Sequence, residues 1–223
     1  MAAKTSATLR FAILLTLTNG FLDAYTYIVR GGVFANVQTG NVILFAIDMR
    51  HRHFGSSLAH LWPILAFLAG VLLSAHIKSG RMERFVTHPL RWTMAFQALA
   101  FAIVGFVPTS VPNSFVTIPI SFLAAMQFTL FRNIGDLTYV AVATTGNLMR
   151  FVESGYRLCV DKDQTARLAF KVYGVLICAF AGGAVSGAFA SEQWGHRAVW
   201  LPAAFLAVTL LLFIVDEREG REP

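Results

Sequence analysis

An all-α polytopic membrane protein is the fold class this chain predicts. It would have about six transmembrane helices, two short interrupted segments built on Thr-Gly-Asn, and an inverted 3+3 internal repeat. Three observations predict it. The 223 residues are 56% hydrophobic and 13% charged, with a mean hydropathy of +0.61, whereas soluble domains carry about 45–50% apolar and about 25% charged residues. Six stretches are long and apolar enough for a bilayer helix, which needs about 20 residues. Finally, Thr39-Gly40-Asn41 recurs as Thr145-Gly146-Asn147. This composition excludes a soluble globular enzyme, a disordered chain and a disulfide scaffold. Cys159 and Cys178 are the only cysteines, too few for a disulfide framework or a zinc spacing.

The six spans are expected at 9–29, 59–79, 91–108, 115–135, 167–190 and 197–215. Lys4 and Arg10 precede an apolar run, Phe11 to Leu17, but Asn19-Gly20 and Asp23 then follow with no small-residue cleavage site. The start therefore reads as an uncleaved helix rather than a signal peptide. Two further stretches, 33–49 and 139–153, are shorter and have polar centres. Their status decides the topology. If all eight stretches cross with the N-terminus inside, eleven Lys and Arg fall inside and seven outside. If the two short ones add no net crossing, fourteen fall inside and four outside. The second arrangement obeys the positive-inside rule better. It implies six crossings with both termini cytoplasmic, and it assigns the net charge of +6 to orientation rather than to nucleic acid.

The repeat extends beyond the tripeptide. At an offset of 106 residues Ile28 meets Ile134, Ala35 meets Ala141 and Phe45 meets Phe151. Nearby offsets pair Gly70-Val71-Leu72 with Gly174-Val175-Leu176, and Trp92 with Trp200. The halves are 9–108 and 115–215, divided by Pro108–Ser114 and followed by a charged tail, 216–223, expected to be disordered. Three crossings per half would invert the second half relative to the first, as in many transporters. The two Thr-Gly-Asn segments would then enter from opposite faces. Irregular backbone at membrane depth is tolerated only where it is buried in protein or lines a cavity. These segments are thus candidates either for lining a path or for close helix packing.

Gly20-Phe21-Leu22-Asp23-Ala24-Tyr25-Thr26-Tyr27, then Gly31-Gly32-Val33-Phe34 and Thr39-Gly40-Asn41, resemble the signature of the YoaK-like bacterial membrane proteins. Ala124-Ala125-Met126-Gln127 and Thr144-Thr145-Gly146-Asn147-Leu148 are similar to that family's second-half motif. The resemblance covers essentially the whole chain. It implies an integral protein of the bacterial inner membrane with about six helices, and no established activity. Where the family's second half shows Gln-Asn, this chain has Gln127-Phe128, which puts in doubt any role needing an amide pair.

Asn19 and Asp23 are spaced to share one helix face. A carboxylate in a membrane helix is costly and is a functional candidate by default; the competing reading pairs Asp23 with Arg30 near the helix end. The candidate solute- or ion-lining set is Asn19, Asp23, Thr39, Gly40, Asn41, Gln127, Thr144, Thr145, Gly146 and Asn147. Gln97 and Gln127 also suit hydrogen bonds between helices. Arg132 and Asp136 suit a helix-end pair at i,i+4. Gly183 and Gly187 suit close helix packing, within the chain or in a homo-oligomer. His51, His53 and His60 cluster, but nothing completes a metal sphere. His76, His88 and His196 are scattered near helix ends, and 153–167 reads as a solvated connector. No metal or other cofactor is expected.

No Gly-x-Ser-x-Gly elbow, His-Glu-x-x-His or nucleotide motif is present. The expected function is a small-solute transporter or channel with its site at the interface of the two repeats. The alternatives are a membrane-embedded enzyme acting on a lipid or quinone, and a non-catalytic accessory protein. A polar cavity lined by both Thr-Gly-Asn motifs would favour the first, a lateral lipid-facing cleft holding Asp23 the second, and a dry, fully packed centre would sink the first in favour of the third.

Overall fold

The computed structural model describes residues 8–80 and 89–219. Arg81, Arg84 and His88 lie outside the described residues, as do Lys4 and the last four residues. The described residues form eight α-helices: α1 (Leu9–Val29), α2 (Gln38–Arg50), α3 (Phe54–Lys78), α4 (Pro89–Val104), α5 (Ser114–Leu130), α6 (Thr145–Cys159), α7 (Ala166–Trp194) and α8 (Trp200–Glu219). A single 3-10 turn, Gly195–Val199, joins α7 to α8. Between α5 and α6 a small antiparallel hairpin pairs β1 (Asn133–Ile134) with β2 (Leu137–Thr138).

Among the described residues, three helical stretches are long and apolar enough to cross a bilayer: Leu9–Val29, Phe54–Lys78 and Ala166–Leu212, the last taking in both α7 and α8. Arg91–Val104 and Ser114–Leu130 are apolar but shorter. Of the apolar window in α1, 61% is buried inside the protein, against 22% in each of the other two, so α1 is the central helix. The others turn large apolar side chains outward, among them Leu72, Phe106, Phe115 and Phe189. A soluble monomer rarely tolerates so much exposed apolar surface; in a bilayer those faces meet lipid.

Packing follows the order of the two halves. In the first half α2 packs on α3, and in the second α6 packs on α7. Across the halves α1 packs on α7, α3 on α5, and α4 on α8. Exchanging the halves maps each of these pairings onto another of them or onto itself. The tightest contact is α1 against α7, where backbone meets backbone. A Cβ on Gly183 would stand 2.1 Å from the Leu17 carbonyl oxygen, one on Gly187 2.6 Å from that of Phe21, and one on Gly20 2.2 Å from that of Phe180. Small residues allow such approach in membrane bundles. Gly183 and Gly187 therefore face a neighbour within the chain.

Several boundaries differ from the expected ones. The fifth stretch ends at Leu130 rather than 135, because Gly135 at φ +56° turns the chain into the hairpin. Arg132 and Asp136 consequently lie on no helix; Arg132 stacks over the Phe128 ring at 5.1 Å. The expected connector 153–167 shrinks, since α6 runs to Cys159 and α7 starts at Ala166. The charged tail begins in order, as α8 continues to Glu219.

Candidate functional site

The end of α1 makes the site. Gly31 and Gly32 adopt φ +83° and +76°, a region that L side chains resist and glycine enters freely. The Gly32 N–H reaches the Tyr27 carbonyl at 3.0 Å, which is a Schellman closure. The chain then doubles back along α1. The Ala35 N–H donates to Thr26 Oγ1 at 3.2 Å. The Asn36 N–H donates to Asp23 Oδ1 at 3.0 Å, and Asn36 Nδ2 donates to the Asn19 carbonyl at 2.9 Å. Opposite, Ser121 Oγ of α5 donates to the Ala35 carbonyl at 2.6 Å. An extended segment with no helical bonds of its own is thus satisfied from both sides, as a low-dielectric interior requires.

A line of amides crosses from there to the second half. Asn19 Nδ2 donates to Gln127 Oε1 of α5 at 2.7 Å. Gln127 Nε2 donates to Gln97 Oε1 of α4 at 2.7 Å, and Gln97 Nε2 donates to the Leu123 carbonyl at 3.2 Å. A backbone carbonyl can only accept, so the Leu123 end sets the direction of the whole line. Asn19 Nδ2 also meets the Leu15 carbonyl at 2.8 Å. The amide orientations are therefore dictated by partners rather than free to flip. Asn19, Gln97 and Gln127 are wholly buried and Asp23 is 5% exposed.

Three oxygens of this cluster, Asn19 Oδ1, Asp23 Oδ2 and Asn36 Oδ1, are buried without a hydrogen-bond partner among the described residues. Each unmade bond to a buried group costs about 1–3 kcal/mol. Arg30 does not relieve Asp23. Its guanidinium donates to the carbonyls of Val107 (2.7 Å) and Pro108 (3.4 Å) and to Tyr25 Oη (3.0 Å). Those carbonyls sit just past the C-terminus of α4, where the helix dipole favours a cation. The expected alternative, Asp23 paired with Arg30 at the helix end, is replaced by this tether between α1 and the linker dividing the halves.

The two Thr-Gly-Asn motifs lie elsewhere and share one geometry. Asn41 Oδ1 accepts the Phe34 N–H at 3.1 Å and its Nδ2 donates to the Phe34 carbonyl at 2.5 Å. Asn147 does the same to Val140, at 3.1 and 2.8 Å. Each asparagine clasps both backbone groups of the residue seven positions upstream, at the start of α2 or α6. The glycines leave room for the clasped residue: a Cβ on Gly40 would stand 2.8 Å from the Phe34 ring, and one on Gly146 3.5 Å from Val140 Cγ2. Thr39 and Thr145 are exposed, and Thr144 is half-buried. The clasp leaves neither asparagine's amide oxygen without a donor.

Two clefts are open on the described surface. One of ≈ 690 Å³ lies between α6 and α7, lined by Arg150, Glu153, Tyr156, Arg157 and Tyr173 among others. The other, ≈ 640 Å³, surrounds the 3-10 turn at Trp194, His196, Arg197 and Trp200. Neither is lined by Asp23 or by Asn41 or Asn147. The histidine cluster gains a partner the sequence did not single out: Asp48 lies 3.4 Å from His60 Nε2 and 3.9 Å from His53 Nδ1.

Residues 11–212 match the model of a family described as a protein of unknown function, DUF1275. The chain belongs to this family. It is 28% identical over 201 residues to the UPF0700 transmembrane protein YoaK of Bacillus subtilis (strain 168), covering 86% of this chain and 88% of that protein. No solved structure matches it. With the apolar helices described above, this makes the DUF1275 chain a membrane protein of the YoaK-like kind. Sequence reasoning found Asn19, Asp23 and Gln127 and missed Asn36. An asparagine in a Gly-rich connector reads as a turn former, and only the doubling back of 33–37 brings it to Asp23.

Proposed function

We propose that this protein is a small-solute transporter or channel of the bacterial inner membrane, working at the interface between two inverted repeats. One observation carries the reading. A buried carboxylate and a line of four amides (Asp23, Asn36, Asn19, Gln127, Gln97) join a first-half helix to a second-half helix inside an apolar bundle. Ionisable and polar groups at membrane depth are expensive, and they mark ion or substrate paths. A packing role alone would be met by the glycine contacts of α1 and α7.

The exchange of helix pairings between halves and the twin asparagine clasps support a repeat of two halves, and three crossings in each would invert one relative to the other. The inverted arrangement would have six crossings, both termini cytoplasmic, and α2 and α6 as broken segments without a net crossing. At about 1.5 Å per residue, the 13 residues of α2 and 15 of α6 fall short of a hydrocarbon core about 30 Å thick, further than the 16 of α4 and 17 of α5, which are the more apolar pair. The path would run along the α1–α5 contact, with Asn19, Asp23 and Gln127 lining it. The Thr-Gly-Asn motifs would hold the broken segments that flank it.

Flux measurements in proteoliposomes across a panel of small ions and polar solutes, with and without a proton gradient, test this. The expected result is uptake of one solute class that Asp23→Asn or Gln127→Leu reduces to the level of empty liposomes. Uptake unchanged in both variants would remove the assigned site, and absence of any flux across the panel counts against transport.

A further inference from the structure

The three unpartnered oxygens have a chemistry of their own. Asn19 Oδ1 and Asn36 Oδ1 face inward because their NH2 groups are committed to backbone carbonyls. Asp23 Oδ2 is the second oxygen of a carboxylate whose first already accepts the Asn36 N–H. Asn36 bonds to the Asp23 carboxylate through its N–H and to the Asn19 carbonyl through its NH2 group, which sets the three side chains beside one another. All three are buried without a donor among the described residues. Exchanging O and N on either amide would set a carbonyl oxygen against a carbonyl oxygen, so the acceptor character is enforced.

We propose that Asn19, Asp23 and Asn36 form a binding site for a dehydrated monovalent alkali cation. Two amide oxygens and a carboxylate are hard donors, suited to such an ion rather than to a soft metal. Charge decides the valence. One carboxylate balances one positive charge, whereas a divalent ion would leave a net charge inside the bundle. A proton alone is a poorer match. On Asp23 Oδ2 it supplies a single O–H donor and leaves at least one of the two amide oxygens unmet. Arg30 is seven residues on, about 10 Å along the helix axis, and its charge is taken up at the end of α4, so it does not fill the site. The use of the ion, coupling or co-conduction of the solute, rests on the transport reading above; its binding does not.

The test is therefore made on binding. The purified protein in detergent is melted in sodium, potassium, lithium and choline chloride at equal ionic strength and fixed pH. An ion that binds only the folded state raises Tm, by roughly 5–10 °C at a hundredfold excess over Kd. The expected result is such a rise with sodium or potassium over choline, lost in Asp23→Asn. Saturable binding of radioactive sodium to the wild-type protein, displaced by unlabelled sodium and not by choline, is a second readout that needs no variant. Equal melting in all four salts together with no saturable binding overturns the proposal. So does a Tm that is the same in all four salts but shifts when the series is repeated at a second pH, since that assigns the oxygens to a proton. A cation effect without solute flux would retain the site and sink the transport reading; flux without a cation effect would do the reverse.

Discussion

Asn41 and Asn147 hold Phe34 and Val140 by the same pair of hydrogen bonds, 106 residues apart, yet the segments they anchor lie in different surroundings. In the first half the residues just before the clasp touch Thr26, Asp23, Asn19 and Ser121. In the second half Tyr139, Ala141 and Val142 are buried apolar residues. At the 106-residue offset, Asn19, Asp23 and Asn36 correspond to Ala125, Thr129 and Val142. Thr129 merely bonds back to the Ala125 carbonyl of its own helix. The outer faces differ as well: α2 exposes Val42, Ile43 and Ile47, whereas α6 mixes Leu148, Met149 and Val152 with exposed Glu153 and Arg157. The clasp is common to both halves, whereas the buried carboxylate lies beside the first clasp, with Gln127 and Ser121 bonding to that region from the second half.

The largest expected effect breaks this comparison directly. Asp23→Asn should abolish flux. In choline, where no alkali cation pairs the carboxylate, its Tm should be unchanged or higher than wild type, because it removes an unpaired buried charge. In sodium or potassium it should lack the rise. Thr129→Val, at the matching offset, should leave flux intact. Equal losses in the two variants would mean that the site is symmetric after all. Next come the clasps. Asn41→Ala and Asn147→Ala each strand a backbone N–H and C=O, at an expected cost of about 2–3 kcal/mol, read as a loss of Tm in detergent. A cost confined to one of them would show that the clasps are not equivalent.

The motif glycines should sharpen the difference by a smaller margin. Gly40→Ala pushes into the Phe34 ring at 2.8 Å, whereas Gly146→Ala meets only the end of the Arg150 side chain at 3.2 Å. Gly40→Ala is expected to destabilise by about 1 kcal/mol. Gly146→Ala should be neutral or gain up to about 1 kcal/mol of helix propensity. Thermal melts of the two variants side by side decide it. The smallest effect concerns the connector after α6. Asp163 Oδ1 accepts from the hydroxyl and N–H of Thr165, and Oδ2 accepts from Arg157. The Thr165 hydroxyl, then Arg157, hold the carboxyl below the usual carboxylate range. A depressed folded-state pKa gives stability that is present above the unfolded value and lost as pH falls through the folded one. Asp163→Asn should therefore lower Tm slightly at neutral pH, where the carboxylate's contribution is present, and flatten a slight acid sensitivity of melting.

Much of the fold was legible because a bilayer asks for a specific thing. Apolar runs of about 20 residues located the six main helices, with α1 at 9–29 as expected and the others displaced by several residues at one or both ends. The end of α5 was not legible, since Phe131 and Ile134 are as apolar as the helix before them and only the turn at Gly135 marks the change. The face shared by Asn19 and Asp23 followed from helical spacing. Its partners did not, because Gln127, Gln97 and Asn36 reach it from α5, α4 and a doubled-back segment.

The sequence by itself determined the solvent of this protein, the places where helices run and the duplication of Thr-Gly-Asn, since hydropathy and repeats are local properties of the chain. Tertiary structure alone decided which polar groups satisfy one another. Arg30 went to the carbonyls beyond α4 rather than to Asp23, and the asparagines of the repeat went to backbone rather than to a lining. One amide oxygen each of Asn19 and Asn36 and one carboxylate oxygen of Asp23 were left buried without a hydrogen-bond partner among the described residues. In a medium without water each donor and acceptor must find a partner within the protein, and which partner it finds depends on how the helices meet.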